Sequence, residues 1–283
     1  MIVATTIAAV RARRQELDRL GRRVAFVPTM GALHEGHLSL VREAARRADE
    51  VWVSIFVNPT QFGPGEDFQR YPRRLEEDRA LLEREGVALL FAPPAREMYP
   101  QPPATVVDVP ALTAGLCGAH RPGHFRGVAL VVVKLFNIVR PEVAVFGAKD
   151  FQQAAVIRRL VADLDLPVEI VVAPTVREAD GLAMSSRNAY LGDSERRAAA
   201  RLHAALQAGR AAVLAGERSG AAVEALMAAA LAGDDRVELQ YAAAVDVNTL
   251  APVDVVKGSV LLAVAAHVGG VRLIDNLVVE VQP

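Results

Sequence analysis

The sequence predicts an α/β fold: a Rossmann-like doubly wound parallel sheet over residues 1–175, followed by a smaller α+β domain over residues 176–283. Three observations predict it. Short continuous apolar runs, the mark of strands buried on both faces, recur through the first part and alternate with amphipathic helical stretches. Glycine-bearing loops follow the carboxyl ends of these runs, where open α/β sheets take their ligands. From residue 193 onward the composition changes to alanine-rich helix, then to strands parted by Asn, Pro and Gly.

Taken in order, residues 3–20 read as a leading helix with its arginines on the exposed face. VAFVP, residues 24–28, is the first strand; a loop, TMGALHEGH, covers residues 29–37, and a helix begins near His37 with Leu38, Val41, Ala45 and Ala48 at helical spacing. Residues 50–57 form a buried strand that stops at Asn58-Pro59. The loop after it carries Gln61, residues 75–85 form a charged amphipathic helix, and residues 87–92 a third strand. This β-α-β-α-β order is one half of a doubly wound sheet. A Pro-rich connection leads to a short strand at residues 105–109, TVVDV, and to a loop rich in Gly and His. Residues 127–139 read as a buried helix. Residues 142–146 form a strand ending at Gly147, with Asp150 as N-cap of a helix over residues 151–163, and residues 168–173 form another strand. The polar, glycine-containing stretch at residues 174–192 shows no pattern, and the domain boundary is placed at its start. Beyond it, Leu202, Leu206 and Val213 make one apolar stripe and Val223, Leu226, Met227 and Leu231 another. Strands at residues 237–245, 259–268 and 271–281 then make a small antiparallel sheet on those helices.

Composition narrows the function classes. A chain of 283 residues, 52% hydrophobic and 23% charged, can bury a sizeable core in two domains. A net charge of −1 without a basic block argues against a nucleic-acid partner. The single cysteine, Cys117, excludes an intrachain disulfide and fits a reducing, cytoplasmic location. The N-terminal arginines follow the apolar run instead of preceding it, the reverse of a secretory signal. The longest uncharged apolar stretch, residues 259–271, falls short of the roughly 18–20 residues of a spanning helix, so no membrane partner is expected.

Three loops carry the candidate chemistry: residues 29–37, 147–150 and 184–187. In the first, two glycines permit close backbone approach and a helix start offers unpaired N–H groups to an anion. His34 and His37 add directed hydrogen bonds, Lys149 and Arg187 add charge. A triphosphate has this demand, because negative charge grows on the leaving pyrophosphate as its bond to the α-phosphorus breaks. Each residue alone has an ordinary structural reading; their joint occurrence after three strands points to a polyphosphate seat. Metal ligation by His34 and His37 fits poorly, since they stand three apart with Gly36 between them and not four apart on an unbroken helix.

VPTMGALHEGH, SIFVNPTQF, HFRGV, FGAKDFQQ and TVREADGLAMSSRN together resemble, in order and spacing, the pantoate–β-alanine ligase family. The likeness covers most of residues 20–195. It implies a nucleotidylyltransferase-superfamily enzyme in which HEGH stands for the HIGH signature and MSSR for the KMSKS-like loop. The resemblance further implies an ATP-dependent condensation of pantoate with β-alanine, using Mg2+ and passing through a pantoyl adenylate, in a homodimer. By position it assigns ATP binding to Met30, Gly31, Ala32, Leu33, His34, Glu35, Gly36 and His37, with His37 as proton donor. Gly147, Ala148, Lys149, Asp150, Val176, Met184, Ser185, Ser186 and Arg187 complete that assignment. Gln61 and Gln153 are assigned to pantoate, and Gln61 also to β-alanine. Ala148 stands where the family usually has Glu, a departure that bears on local packing or a helix-end charge. The alternatives are another nucleotidyltransferase of the superfamily, which needs no amine, and a regulatory module that binds ATP without chemistry.

Overall fold

The computed structural model describes residues 1–281, and the chain divides into two compact units. The first comprises Met1–Val109, Arg121–Ala148 and Gln153–Pro174; the second comprises Pro110–His120, Lys149–Gln152 and the chain from Thr175 onward. Two short stretches that precede residue 175 are thus built into the second unit.

The six strands of the first unit are β1 (Ile2–Ala4), β2 (Val24–Thr29), β3 (Glu50–Ile55), β4 (Leu89–Phe91), β5 (Val143–Gly147) and β6 (Glu169–Ala173). They form one parallel sheet in the order β1-β4-β3-β2-β5-β6. The helices up to the end of this sheet are α1 (Ile7–Arg19), α2 (Glu35–Ala45), α3 (Leu75–Arg84), the short α4 (Ala95–Met98), α5 (Pro110–Thr113) and α6 (Cys117–His120), then α7 (His124–Val139) and α8 (Phe151–Asp163). Successive residues of a strand face opposite ways. Val24 and Phe26 therefore pack with Trp52, Leu89 and Phe91 against residues of α1 and α7, while Ala25 and Val27 pack with Val53 and Leu90 against α2 and α3. Phe26, Trp52 and Phe91 are fully buried, and each large apolar side chain so placed stabilises the fold by roughly 1.5–3 kcal/mol.

The strand order reverses between β2 and β5, since the chain steps from β2 outward to β4 and returns to β5 on the other side of β2. These two strands pair only through Ala25–Val143 and Phe26–Ala144, whereas β2 follows β3 out to Thr29–Ile55 and β5 follows β6 out to Gly147–Ala173. Their carboxyl-terminal halves separate, and Pro28, which has no N–H to share, stands in the separated stretch. A reversal point of this kind is the ligand crevice of open α/β sheets. The amino end of the sheet is instead closed by ion pairs. Glu142 accepts the Val24 N–H at 2.7 Å and pairs with Arg14, and Glu50 takes Arg13 at 2.6 Å and the Trp52 indole N–H at 3.0 Å.

Several expectations are corrected. Residues 2–4 are an edge strand, not helix; the Thr6 hydroxyl caps α1 by accepting the Ala9 N–H at 3.2 Å. Arg14, expected on an exposed face, is 5% exposed and held by Glu142 and Asp18. Residues 105–109 form no strand, because β-branched propensity makes no ladder without a neighbouring edge, and Val106 is exposed. The helix expected from residue 127 starts at His124. A 3-10 turn, Ala148–Asp150, runs directly into α8, so Asp150 sits in a helical turn and not at an extended N-cap.

In the second unit, α9 (Asp193–Leu214) and α10 (Gly220–Leu231) pack with an antiparallel sheet of β7 (Val237–Asp246), β8 (Gly258–Val268) and β9 (Val271–Val281), in the order β7-β8-β9. Leu202, Leu206, Val213, Val223, Met227 and Leu231 meet Val260, Leu262, Val264 and Val279 in its core. Leu226, expected in that stripe, is exposed. Cys117 is buried here: its Sγ lies 3.2 Å from the Tyr241 hydroxyl and accepts from Arg272 at 3.4 Å. Burial and the neighbouring thiol push the Tyr241 phenol well above its ordinary pKa. Gln152 accepts the Cys117 N–H at 3.0 Å and donates to the carbonyls of Leu112 and Gly115, both at 2.9 Å. Among the described residues no helix is long and apolar enough to cross a membrane.

Candidate active site

The turn after β2 is shaped by glycine and by an acid from another element. Gly31 has φ +82°, and a Cβ there would lie 2.9 Å from Ile55 Cγ2 and 3.0 Å from Asp78 Oδ2. Only glycine fits. Asp78, 2% exposed on α3, accepts the N–H groups of Ala32 at 2.8 Å and Leu33 at 2.7 Å. Burial pushes its carboxyl above the usual range, against the pull of these two donors. The carboxylate holds the turn so that α2 begins at Glu35 with His34 as its N-cap, two residues earlier than expected from the sequence.

His34 and His37 then stand one above the other, with ring centroids 4.1 Å apart. The His34 N–H donates to His37 Nδ1 at 3.4 Å, which places the proton of a neutral His37 ring on Nε2 and makes that atom the donor. Glu35 is exposed and ion-paired to Arg42, which also holds Glu85. Gly36 contributes its carbonyl to the Ser39 hydroxyl at 2.8 Å.

Gln61 lies in a 3-10 turn after β3 (Pro59–Gln61) and is 8% exposed. Its Nε2 points to Met30 Sδ at 3.2 Å, and its Oε1 accepts from Asn58 Nδ2 at 3.1 Å. Asn58 in turn donates to the Gly127 carbonyl at 3.1 Å and accepts from the Tyr99 hydroxyl at 3.1 Å. Gly127 lets α7 approach closely, since a Cβ there would meet the Thr60 carbonyl oxygen at 2.2 Å. The Gln61 carbonyl lies 2.8 Å from His124 Nδ1 and accepts from Arg121 at 3.4 Å, with Arg121 itself paired to Glu66 at 2.6 Å. Gln153, the other candidate amide, is half-buried on the first turn of α8, while its neighbour Gln152 is the buried one.

The second unit carries Lys149, Asp150, Val176, Met184, Ser185, Ser186 and Arg187. Residues 176–184, unpatterned in sequence, form a small hairpin: the Glu178 N–H donates to the Leu182 carbonyl at 2.9 Å, and the Met184 N–H to the Val176 carbonyl at 3.0 Å. At its tip Gly181 has φ +89° and packs where a Cβ would meet His203 at 2.8 Å. The Ser185 hydroxyl caps the 3-10 turn Ser186–Tyr190 by accepting the Arg187 N–H at 3.3 Å. Lys149 is half-buried and Asp150 exposed.

Within the first unit the structure thus brings Met30 to Gln61 and His34 to His37, and it sets Gly147 and Ala148 at the end of β5 beside the strand reversal. Asp78, Asn58, Tyr99, Arg121 and His124 were not singled out from the sequence. Asp78 had one signal, an acid four residues before Leu82 on the apolar face of α3. Asn58 and His124 lay inside recognised motifs but were indistinguishable there from turn residues.

Comparison with known proteins supplies the relationship. A family model described as pantoate-beta-alanine ligase matches residues 2–278. The chain is similar to the pantothenate synthetase of Moorella thermoacetica, 55% identical over 281 residues and covering 99% of each chain. It is similar to the crystal structure of pantothenate synthetase from Thermus thermophilus, with a TM-score of 0.93, 49% identity and all of both chains covered. It is also similar to the pantoate-beta-alanine ligase of Francisella tularensis, crystallised with beta-gamma ATP and beta-alanine, at a TM-score of 0.80 and 34% identity over 98% of this chain and 97% of that one. A match over almost the whole sequence, shared by the fold with its reversed strand order, means that this chain belongs to the pantoate–beta-alanine ligase family.

Proposed function

We propose that the protein condenses (R)-pantoate with β-alanine at the expense of ATP, releasing AMP and pyrophosphate through a pantoyl adenylate. The observation that carries this reading is the clamped turn of residues 29–37, which opens α2 beside the reversal of strand order and orients His37 through the His34 N–H. The family match and a relative crystallised with an ATP species and β-alanine support it.

In the first step a pantoate carboxylate oxygen attacks the α-phosphorus and the bond to the pyrophosphate oxygen breaks. Met30, Gly31, Ala32, Leu33, His34, Glu35, Gly36 and His37 take ATP in this reading, and His37 Nε2–H donates to the phosphate oxygens on which charge grows. Gly147, Ala148, Lys149, Asp150, Val176, Met184, Ser185, Ser186 and Arg187 complete the nucleotide contacts, with the Lys149 and Arg187 cations stabilising the leaving pyrophosphate. Gln61 and Gln153 orient pantoate, since an amide can both donate to its carboxylate and accept from its hydroxyls without competing for phosphate. In the second step the amine of β-alanine, bordered by Gln61, attacks the acyl carbon; the acyl–oxygen bond to AMP breaks and the amine loses a proton.

Mg2+ accompanies ATP in this proposal and neutralises phosphate charge. Among the described residues no group of three His, Cys, Asp or Glu side chains is placed to hold a metal. The exposed carboxylate of Asp150 fits the usual pattern of one or two carboxylates plus substrate phosphates. We further place the protein in the cytoplasm as a homodimer, the first in keeping with its one cysteine.

The test is pyrophosphate release from ATP with pantoate alone, then with β-alanine. Release with pantoate, and AMP with an amide product only once the amine is present, is the expected result. A nucleotidyl product that ignores the amine, or ATP binding without pyrophosphate under any mixture, would overturn the assignment.

A further inference from the structure

The nucleotide assignment draws on Lys149 and on the segment of residues 184–187, and both are built into the second unit. Each has local turn bonds, and each also has a longer-range tie. Both are tied to one place, the adjacent pair Asp275 and Asn276 in the middle of β9, where Asp275 is 3% and Asn276 9% exposed.

Strand alternation turns these two side chains to opposite faces. Asp275 accepts both terminal nitrogens of Arg177, at 2.6 and 2.9 Å, and lies 3.8 Å from His203 Nδ1 of α9. Arg177 also donates to the Gly181 carbonyl at 3.0 Å, so the same guanidinium fixes both the first arm and the tip of the hairpin that delivers Met184. Asn276 Nδ2, on the other face, donates to the Lys149 carbonyl at 2.7 Å. The Asn276 N–H is bonded to Asp275 Oδ1 at 2.8 Å, which joins the two halves. Two segments far apart in the chain thus hang from a single buried two-residue brace.

We propose that Asn276 is a positioning residue for Lys149, and that the Asp275–Asn276 pair sets Lys149 and the 176–187 segment in one fixed register. The proposal rests on the assignment of Lys149 to the leaving phosphates. A lysine that must follow developing charge gains from a fixed backbone, because its ammonium reaches the phosphate only from a defined Cα position. The bond to the Lys149 carbonyl also gives a physical reason for the buried amide of Asn276.

The experiment is a double-mutant cycle on the full chain, reading pyrophosphate release with ATP and pantoate. Asn276→Ala is expected to lower kcat about ten- to a hundredfold, the scale of a small misplacement of a reacting group, with the KM for pantoate unchanged. In a Lys149→Ala background the same substitution is expected to cost nothing further, since it acts only through Lys149. If Asn276→Ala does not fold, as read by circular dichroism, Asn276→Asp keeps the size and replaces the donor by an acceptor, and its cycle with Lys149→Ala is read in the same way. A slow Lys149→Ala enzyme in which the position-276 substitution still costs its full factor would overturn the positioning role alone. A Lys149→Ala enzyme with wild-type rates would overturn the phosphate assignment, and this inference with it.

Discussion

At the scale of single residues, the turn of residues 29–37 makes the sharpest demands. His37→Ala is expected to slow pyrophosphate release about 10²- to 10³-fold, the usual cost of losing one donor that strengthens in the transition state. Steady-state kinetics checks it: a change confined to the KM for ATP would make His37 a ground-state ligand instead. Gly31→Ala combines a positive φ of +82° with contacts of 2.9 and 3.0 Å, so it should cost about 1–3 kcal/mol in urea unfolding and displace the loop from Asp78. A melt and an activity indistinguishable from wild type would show that the turn relaxes freely. Gln153→Ala should weaken pantoate binding while sparing ATP, since a substrate hydrogen bond would lose its partner; calorimetry with each ligand separately tests this, and weakened ATP binding with unchanged pantoate binding would sink the assignment. The sequence draws attention to Gly31, His34 and His37 as candidates because two glycines and two histidines fall together between a buried strand and a helix, and the structure gives Gly31 a positive φ and sets the two rings 4.1 Å apart. Asp78 offers only its spacing from Leu82, because an acid in a charged helix otherwise looks the same whether it faces water or clamps two amides.

At the scale of elements, the segment from the hairpin to α9 depends on ionisation. Glu178 accepts from Arg196 at 2.6 Å and from Asn188 Nδ2 at 3.0 Å, and the Arg196 bond above all holds its carboxyl below 4.5, against the cost of partial burial and, less, the repulsion of Asp180. A carboxylate whose folded pKa is depressed binds protons more readily when unfolded. Its stabilisation is therefore complete above pH about 4.5 and is lost as pH falls through the folded value. Amide exchange in residues 176–190 should accelerate as pH drops through that range relative to the intrinsic rate, and Glu178→Gln should flatten the dependence; a profile unchanged by the substitution would assign the acid sensitivity elsewhere. The elements themselves were unevenly legible. β2, β3 and β5 stand out as apolar runs because both faces are buried, whereas β1 was hidden by its length of three residues and its exposed Ile2 and Val3. The TVVDV stretch misled for the opposite reason, having strand propensity and no neighbouring edge. The hairpin left no pattern, as its bonds come from backbone groups and from Arg177.

At the scale of the whole molecule, the alanine-rich helices from residue 193 onward fall inside the second unit, whose two borrowed segments carry no such change of composition. Gln152 bonds residues 149–152 to the carbonyls of Leu112 and Gly115, and the two segments join the rest of the unit through Asn276 on the Lys149 carbonyl and through Cys117 against Tyr241 and Arg272, contacts that the sequence does not advertise. The candidate groups are consequently shared out: the histidines and Gln61 belong to one unit, Lys149 and Arg187 to the other. Leu202→Ala, in the core of the second unit, should destabilise it by about 2–5 kcal/mol. Unfolding in urea followed by circular dichroism measures that loss, and a value under about 1 kcal/mol would mean the core closes over the gap.

The chain's one thiol gives that unit a built-in clock. Cys117 is sealed against the Tyr241 hydroxyl and Arg272, so a thiol-specific reagent can reach it only when the surroundings part. With a reagent slow enough for opening and reclosing to equilibrate, the labelling rate reads the free energy of opening directly, without a mutation, a dye or a second cysteine to confuse the signal. Comparing that rate with and without each substrate would show which of them the second unit feels.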